Sequence, residues 1–147
     1  MPSSLRSADY SLMREMNIAL ILECLRRRSH ISRAQLAQIT GLNKTTVSSL
    51  VKELLDARFV RENGMDAQEK GRPAIKLELN PEAGCILAAE IGVDFISAIV
   101  TDFSAQILWR QKISTADLHS QSEILGRTIE MIRAAAEQPQ RDCPTIL

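Results

Sequence analysis

Lys44, Thr45, Thr46, Ser48, Ser49 and Lys52 crowd into one short stretch of a 147-residue chain. Hydroxyls both donate and accept hydrogen bonds, whereas ammonium groups donate and carry charge. On one side of a helix, such groups suit a DNA major groove, where base edges are read and phosphates are held. Two plainer readings fit the same residues. Ser and Thr near a helix start also serve as caps, and paired short helices also occur as packing or protein-docking units.

The segment from Ile31 to Val51 reads as two short helices joined at Gly41. Ser32 and Gln35 have capping-box spacing, which starts the first helix at Arg33. Gly41 supplies the tight turn, where a Cβ would clash if φ became positive. Asn43 caps a second helix running to about Ala57, with Val47, Leu50, Val51, Leu54 and Leu55 as its buried stripe. The six polar residues fall largely off that stripe. Upstream, about Ser11 to Arg28 forms another helix, with Leu12, Met16, Ala19, Leu22 and Leu25 at helical spacing. Arg26, Arg27 and Arg28 at its end suit either the negative end of the helix dipole or a phosphate. Asn17, among apolar neighbours, is placed to hydrogen-bond a neighbouring helix end.

Beyond the second short helix, Phe59 to Arg61 opens a strand, and Glu62 to Pro73 is a charged, glycine-bearing loop. Ile75 to Leu79 then alternates with period two. Three helices followed by a hairpin describe a winged helix-turn-helix, with the loop as its wing. Within it, Gly71 lets backbone approach DNA closely and Pro73 holds the chain extended, so Arg72 between them suits a narrow minor groove. The alternative is a hairpin loop with a solvated arginine.

Asn80 to Gly84 marks a boundary between residues 1–80 and 85–147. Cys85 to Ile91, Ile96 to Thr101 and Ile107 to Ile113 read as strands with short polar turns between them. Gln121 to Glu137 is an amphipathic helix, with Ile124, Leu125, Thr128, Ile129 and Ile132 inward, and Pro144 to Leu147 resembles the start of another strand. Three strands and a helix cover only one face of a sheet, so this part reads as the front of a larger α/β domain. The fold class is α+β.

Eighteen basic and eighteen acidic residues balance over the chain, yet residues 1–76 carry 13 Lys/Arg against 8 Asp/Glu. Residues 77–147 carry 5 against 10. Such asymmetry fits a basic binding module joined to an acidic one of different purpose, although modest segment charges also arise by chance. Cys24, Cys85 and Cys143 are scattered and odd in number, and read as small apolar residues in a reducing compartment rather than a disulfide or zinc site. His30 and His119 have no carboxylate or cysteine partner visible in sequence. Trp109 on an apolar strand reads as packing rather than a sugar platform. With no signal-peptide pattern and no membrane-length apolar run, a cytoplasmic protein without cofactor or metal is expected.

The run from Asn17 through Ile31–Ala37, Gly41–Ser48, Gly71-Arg72-Pro73 and Leu79-Asn80-Pro81 resembles the ROK family (repressors, open reading frames, kinases), most of all its xylose-repressor branch. The resemblance implies a winged helix-turn-helix, residues 1–80, followed by the first part of an actin-like, ribonuclease H-like sugar-binding domain in residues 85–147. It implies a homodimeric repressor of sugar-utilisation genes that binds a double-stranded operator and is released by a sugar or sugar phosphate. The DNA-binding helix it implies begins at Asn43 or Lys44, with Lys44, Thr45, Thr46, Ser48 and Ser49 facing the groove, Lys52 on a phosphate and Arg72 in the wing. Ser32, Arg33 and Gln35 lie where the positioning helix meets the DNA backbone. Family kinases carry Asp-x-Gly-Gly-Thr after the first strand of this domain, where this chain has Glu90-Ile91-Gly92-Val93-Asp94. Asp94 would oppose phosphate charge, which disfavours nucleotide binding. The family's sugar-contacting residues, catalytic aspartate and zinc cysteines have no counterpart within these 147 residues, so a sugar effector is expected only in a longer form. A protein without ligand response and a sugar-kinase relative are the competing readings, and the kinase is opposed by both the N-terminal helices and the altered turn.

Overall fold

A computed structural model describes residues 3–66 and 74–137. The chain divides into two compact units, Met1–Asn80 and Pro81–Leu147. The first contains α1 (Ser3–Arg27), β1 (Ile31–Ser32), α2 (Arg33–Thr40), α3 (Lys44–Asp56), β2 (Val60–Asp66) and β3 (Ala74–Leu79). The second contains β4 (Cys85–Ile91), β5 (Phe95–Asp102), β6 (Ile107–Ser114) and α4 (Gln121–Ala136).

In the first unit the local signals act as their chemistry requires. The Ser32 hydroxyl accepts from the Gln35 amide at 3.3 Å, while the Gln35 side chain accepts from the Ser32 amide at 2.9 Å, closing the capping box. Gly41 ends α2 in the left-handed region, at φ 73°. Asn43 caps α3 by accepting from the Thr46 amide at 2.7 Å. Val47, Leu50, Val51 and Leu54 turn inward and are buried. They share a core with Ile21 and Leu25 of α1, Leu36 of α2, Val60 of β2 and Leu77 of β3. Each large apolar side chain sealed there contributes about 1.5–3 kcal/mol.

The stripe expected on α1 is corrected. Leu12 and Met16 are 58% and 64% exposed, and the buried positions are Ile21, Cys24 and Leu25. Helical spacing alone admits both faces when apolar residues lie all round, and the core selects the face that meets α2 and β3.

Strand β1 has no signal in the sequence. Its two residues pair antiparallel with β3, Ile31 opposite Leu77 and Ser32 opposite Lys76, giving the order β1-β3-β2. The wing loop is shorter than the run from Glu62 to Pro73 suggested. β2 continues to Asp66, with a register shift between Glu62 and Met65 and Gly64 at φ 72°. A bulge lets a polar, glycine-bearing strand keep pairing past an irregularity. Residues 67–73, with Gly71, Arg72 and Pro73, lie outside the described residues.

The second unit is an antiparallel meander, β4-β5-β6. Ile96, Ala98 and Val100 on one face of β5 are buried, and Met131 and Ala135 of α4 lie in the same clusters. Trp109 is half-buried and packs against both clusters, as a structural aromatic should. In α4, Thr128 is buried as expected, but Leu125 and Ile129 are 45% and 49% exposed. Met131 and Ala135 take the inward places instead, so the helix is rotated from its expected orientation. Cys85 is disulfide-bonded, which corrects its reading as a free apolar thiol. Cys24 is a buried free thiol whose pKa is raised by desolvation.

Candidate nucleic-acid interface

The outer face of α3 presents Lys44, Thr45, Ser48, Ser49 and Lys52, all exposed, while Thr46 is half-buried. Burial of Val47, Leu50, Val51 and Leu54 on the opposite side makes that orientation obligatory. Asn43 is exposed, with its side-chain oxygen occupied by the cap. Thr46 gives that cap its amide and keeps its hydroxyl for other partners. The face therefore presents hydroxyls and ammonium groups without a carboxylate among the six positions.

The residues of the positioning helix are committed differently. Ser32 is buried and Gln35 half-buried; both close the capping box, and the Lys76 ammonium also donates to Gln35 Oε1 at 3.3 Å. Arg33 donates to Glu62 at 3.1 Å, linking α2 to the strand that leads into the wing. These three groups hold the start of α2 against the hairpin. Arg26 and Arg27 both bond Glu23, whose pKa these hydrogen bonds hold down at about 2.

A polar cluster absent from the sequence reading sits at the base of the hairpin. Glu78 is buried on β3 and accepts from Arg61 Nε at 2.6 Å and from Asn63 Nδ2 at 2.7 Å. His30 Nδ1 lies 3.5 Å from the same carboxylate, which corrects the expectation that His30 has no acidic partner. Desolvation works to raise the Glu78 pKa, but the hydrogen bonds from Asn63 and Arg61 outweigh it and hold the pKa below its ordinary value. His30 reaches this place through a left-handed backbone at φ 63°. Alternation of β3 marked Glu78 as outward, and only the register with β2 brings Arg61 opposite it.

In the second unit, the turn after β4 is closed by the Gly92 amide donating to the Phe95 carbonyl at 2.8 Å. A Cβ on Gly92 would lie 2.4 Å from the Phe95 ring. The glycine here makes room for an aromatic ring, and Lys112 lies 3.7 Å over that ring's centroid. Asp94 is exposed on the same turn. Among the described residues, no three His, Cys, Asp or Glu side chains gather to hold a metal, and no helix is long and apolar enough to cross a membrane.

Residues 19–61 match the family model for winged helix-turn-helix DNA-binding domains. The xylose repressor of Bacillus spizizenii is 39% identical over 104 residues, covering 71% of this chain and 27% of that protein. The xylose repressor of Bacillus subtilis is 38% identical over a stretch of the same length. The DNA-binding transcriptional repressor Mlc of Escherichia coli is 25% identical over 121 residues, covering 82% of this chain and 30% of its own. The chain thus spans about 30% of the length of these relatives. A crystal structure of a ROK family transcriptional regulator homologous to Mlc superposes with a TM-score of 0.63 over 91% of this chain and 34% of its own, at 21% identity, a likeness of fold. It carries a winged helix-turn-helix over residues 19–61, is similar to xylose repressors over 71% of its length, and shares its fold with a ROK family regulator.

Proposed function

We propose that this chain supplies the DNA-binding part of a transcriptional repressor of sugar-utilisation genes. The observation that carries the reading is the outer face of α3, where hydroxyls and lysines stand exposed against a fully buried opposite stripe. Names of the relatives support the sugar: several are xylose repressors. Lys44, Thr45, Thr46, Ser48 and Ser49 read base edges, Lys52 holds a phosphate, and Arg72 reaches the minor groove from the wing. Repression is occlusion of a promoter site, not catalysis. The protein acts as a cytoplasmic homodimer whose two reading helices enter successive major grooves about 34–36 Å apart. A sugar or sugar phosphate acts only through the longer protein. In the sheet unit, the Gly92 turn is filled by Phe95 and carries exposed Asp94, which supports a regulator over a kinase.

The test is selection from a pool of random duplexes at two salt concentrations. Enrichment of a palindrome, with affinity falling steeply in salt, supports the reading. On the selected duplex, Lys52→Ala weakens binding evenly across sequences, whereas Thr46→Ala changes base preference. Unselective binding by wild type, or variants indistinguishable from it on every sequence, overturns the assignment of α3.

A further inference from the structure

The inward line of α1 runs Tyr10, Arg14, Asn17, Ile21, Leu25, with spacings that keep one helix face. Its C-terminal half is core: Ile21 and Leu25 are 0% and 2% exposed. Its N-terminal half leaves the core, and the same line becomes polar there. Tyr10, Arg14 and Asn17 line a surface depression together with Thr45, Thr46 and Ser49 of α3. Tyr10 is 72% exposed, although a tyrosine ring in a packed wall would be expected to bury itself. Arg14 donates to Glu53 of α3, so its guanidinium is anchored at the rim of the depression. A guanidinium has five N–H donors, and one carboxylate cannot use them all.

We propose that Tyr10 and Arg14 of α1 form a second wall of the DNA interface, gripping a phosphate of the strand that borders the groove occupied by α3. This rests on the assignment of α3 as the reading helix. A helix in the major groove has a sugar-phosphate strand along each side, and the depression lies between α3's polar face and α1 on one such side. The occupant fits the chemistry: a phenol hydroxyl and an oriented guanidinium donate, and a phosphate oxygen accepts. Glu53 is the positioning residue, holding Arg14 toward the strand. Met13 also lines the depression and adds no charge.

The experiment uses the duplex enriched from the random pool, with single neutral methylphosphonates walked along both strands. Tyr10→Phe removes one oxygen and keeps the ring; it lowers affinity about tenfold, as loss of a hydrogen bond to a charged acceptor does. Base preference stays unchanged. Arg14→Ala lowers affinity further and flattens the dependence of log affinity on log salt by about one unit. At one methylphosphonate position wild type loses more than elsewhere, and the Tyr10→Phe/Arg14→Ala double variant loses nothing there. Wild-type affinity in Tyr10→Phe, or variant losses that are the same at every modified phosphate, overturns the proposal while leaving α3 as the reading helix. Absence of salt-dependent duplex binding by wild type overturns the reading of α3 and this proposal with it.

Discussion

The two units bury their apolar residues to different degrees. In the winged unit, the four inward residues of α3 are at most 5% exposed, and their opposite face is wholly polar or small. In the sheet unit, Ile86, Ile91, Ile107, Leu108, Leu125 and Ile129 are all between 43% and 54% exposed. One helix lying on a three-stranded sheet leaves a face without cover, and a helix wider in its apolar stripe than the sheet it meets leaves part of that stripe in solvent. The winged unit seals the stripe of α3, while Leu12, Met13 and Met16 of α1, Ile39 of α2 and Ile75 of β3 face outward. The sheet unit keeps apolar surface of the kind that marks contact with further protein.

The sharpest way to break that contrast is to truncate one leucine in each unit. Leu36, with no exposed surface, loses about 2–5 kcal/mol on substitution by alanine. Leu125→Ala, at a residue 45% exposed, changes stability by no more than about 0.5 kcal/mol. Urea denaturation gives the totals, and amide exchange assigns the Leu36→Ala loss to residues 3–66 and 74–80. Equal losses at the two leucines would mean that the sheet unit is as closed as the winged one.

A smaller effect comes from within the sheet unit, at its tightest point. Gly92→Ala forces the new methyl into the Phe95 ring, costing about 1–3 kcal/mol of overpacking. Phe95→Leu in the same chain clears the obstruction and recovers most of that loss, though it gives up the stacking of Lys112. A Gly92→Ala chain as stable as wild type would show that the ring swings aside freely and that the turn is looser than its contacts indicate.

How far the sequence revealed these units follows from the range of each signal. The capping box at Ser32, the left-handed Gly41, the Asn43 cap and, to within one residue, the boundaries of β4 to β6 depend on neighbours in sequence, and they stand where their residues placed them. What the residues left open depends on partners far along the chain. The inward face of α1 is chosen by α2 and β3, strand β1 exists through β3, and α4's rotation is chosen by β5. The site divides the same way. The polar face of α3 follows from its own periodicity, whereas the wall formed by Tyr10 and Arg14 needed α1 brought beside α3. A tyrosine and an arginine four residues apart, in line with Ile21 and Leu25, were the available sign; the assumed stripe through Leu12 and Met16 hid it.

The smallest effect concerns charge, and it lies in the winged unit's hairpin. Glu78 has its pKa lowered in the fold, against desolvation, by Asn63 and Arg61. A carboxylate with a depressed folded pKa stabilises above its unfolded value, about 4.3, and that stabilisation disappears as pH falls through the folded value. The winged unit should accordingly lose protection of its β2 and β3 amides as acid is added, and regain it on return to neutral pH. Glu78→Gln keeps the shape and the hydrogen bond from Asn63, lowers stability slightly at pH 7, and flattens the acid limb of the stability curve for β2 and β3. The sheet unit, where Glu78 has no part, shows the same pH dependence in both proteins. An acid limb unchanged by Glu78→Gln would place the titrating group elsewhere, and would leave Arg61 and Asn63 as partners whose bonds to Glu78 do not depend on its charge.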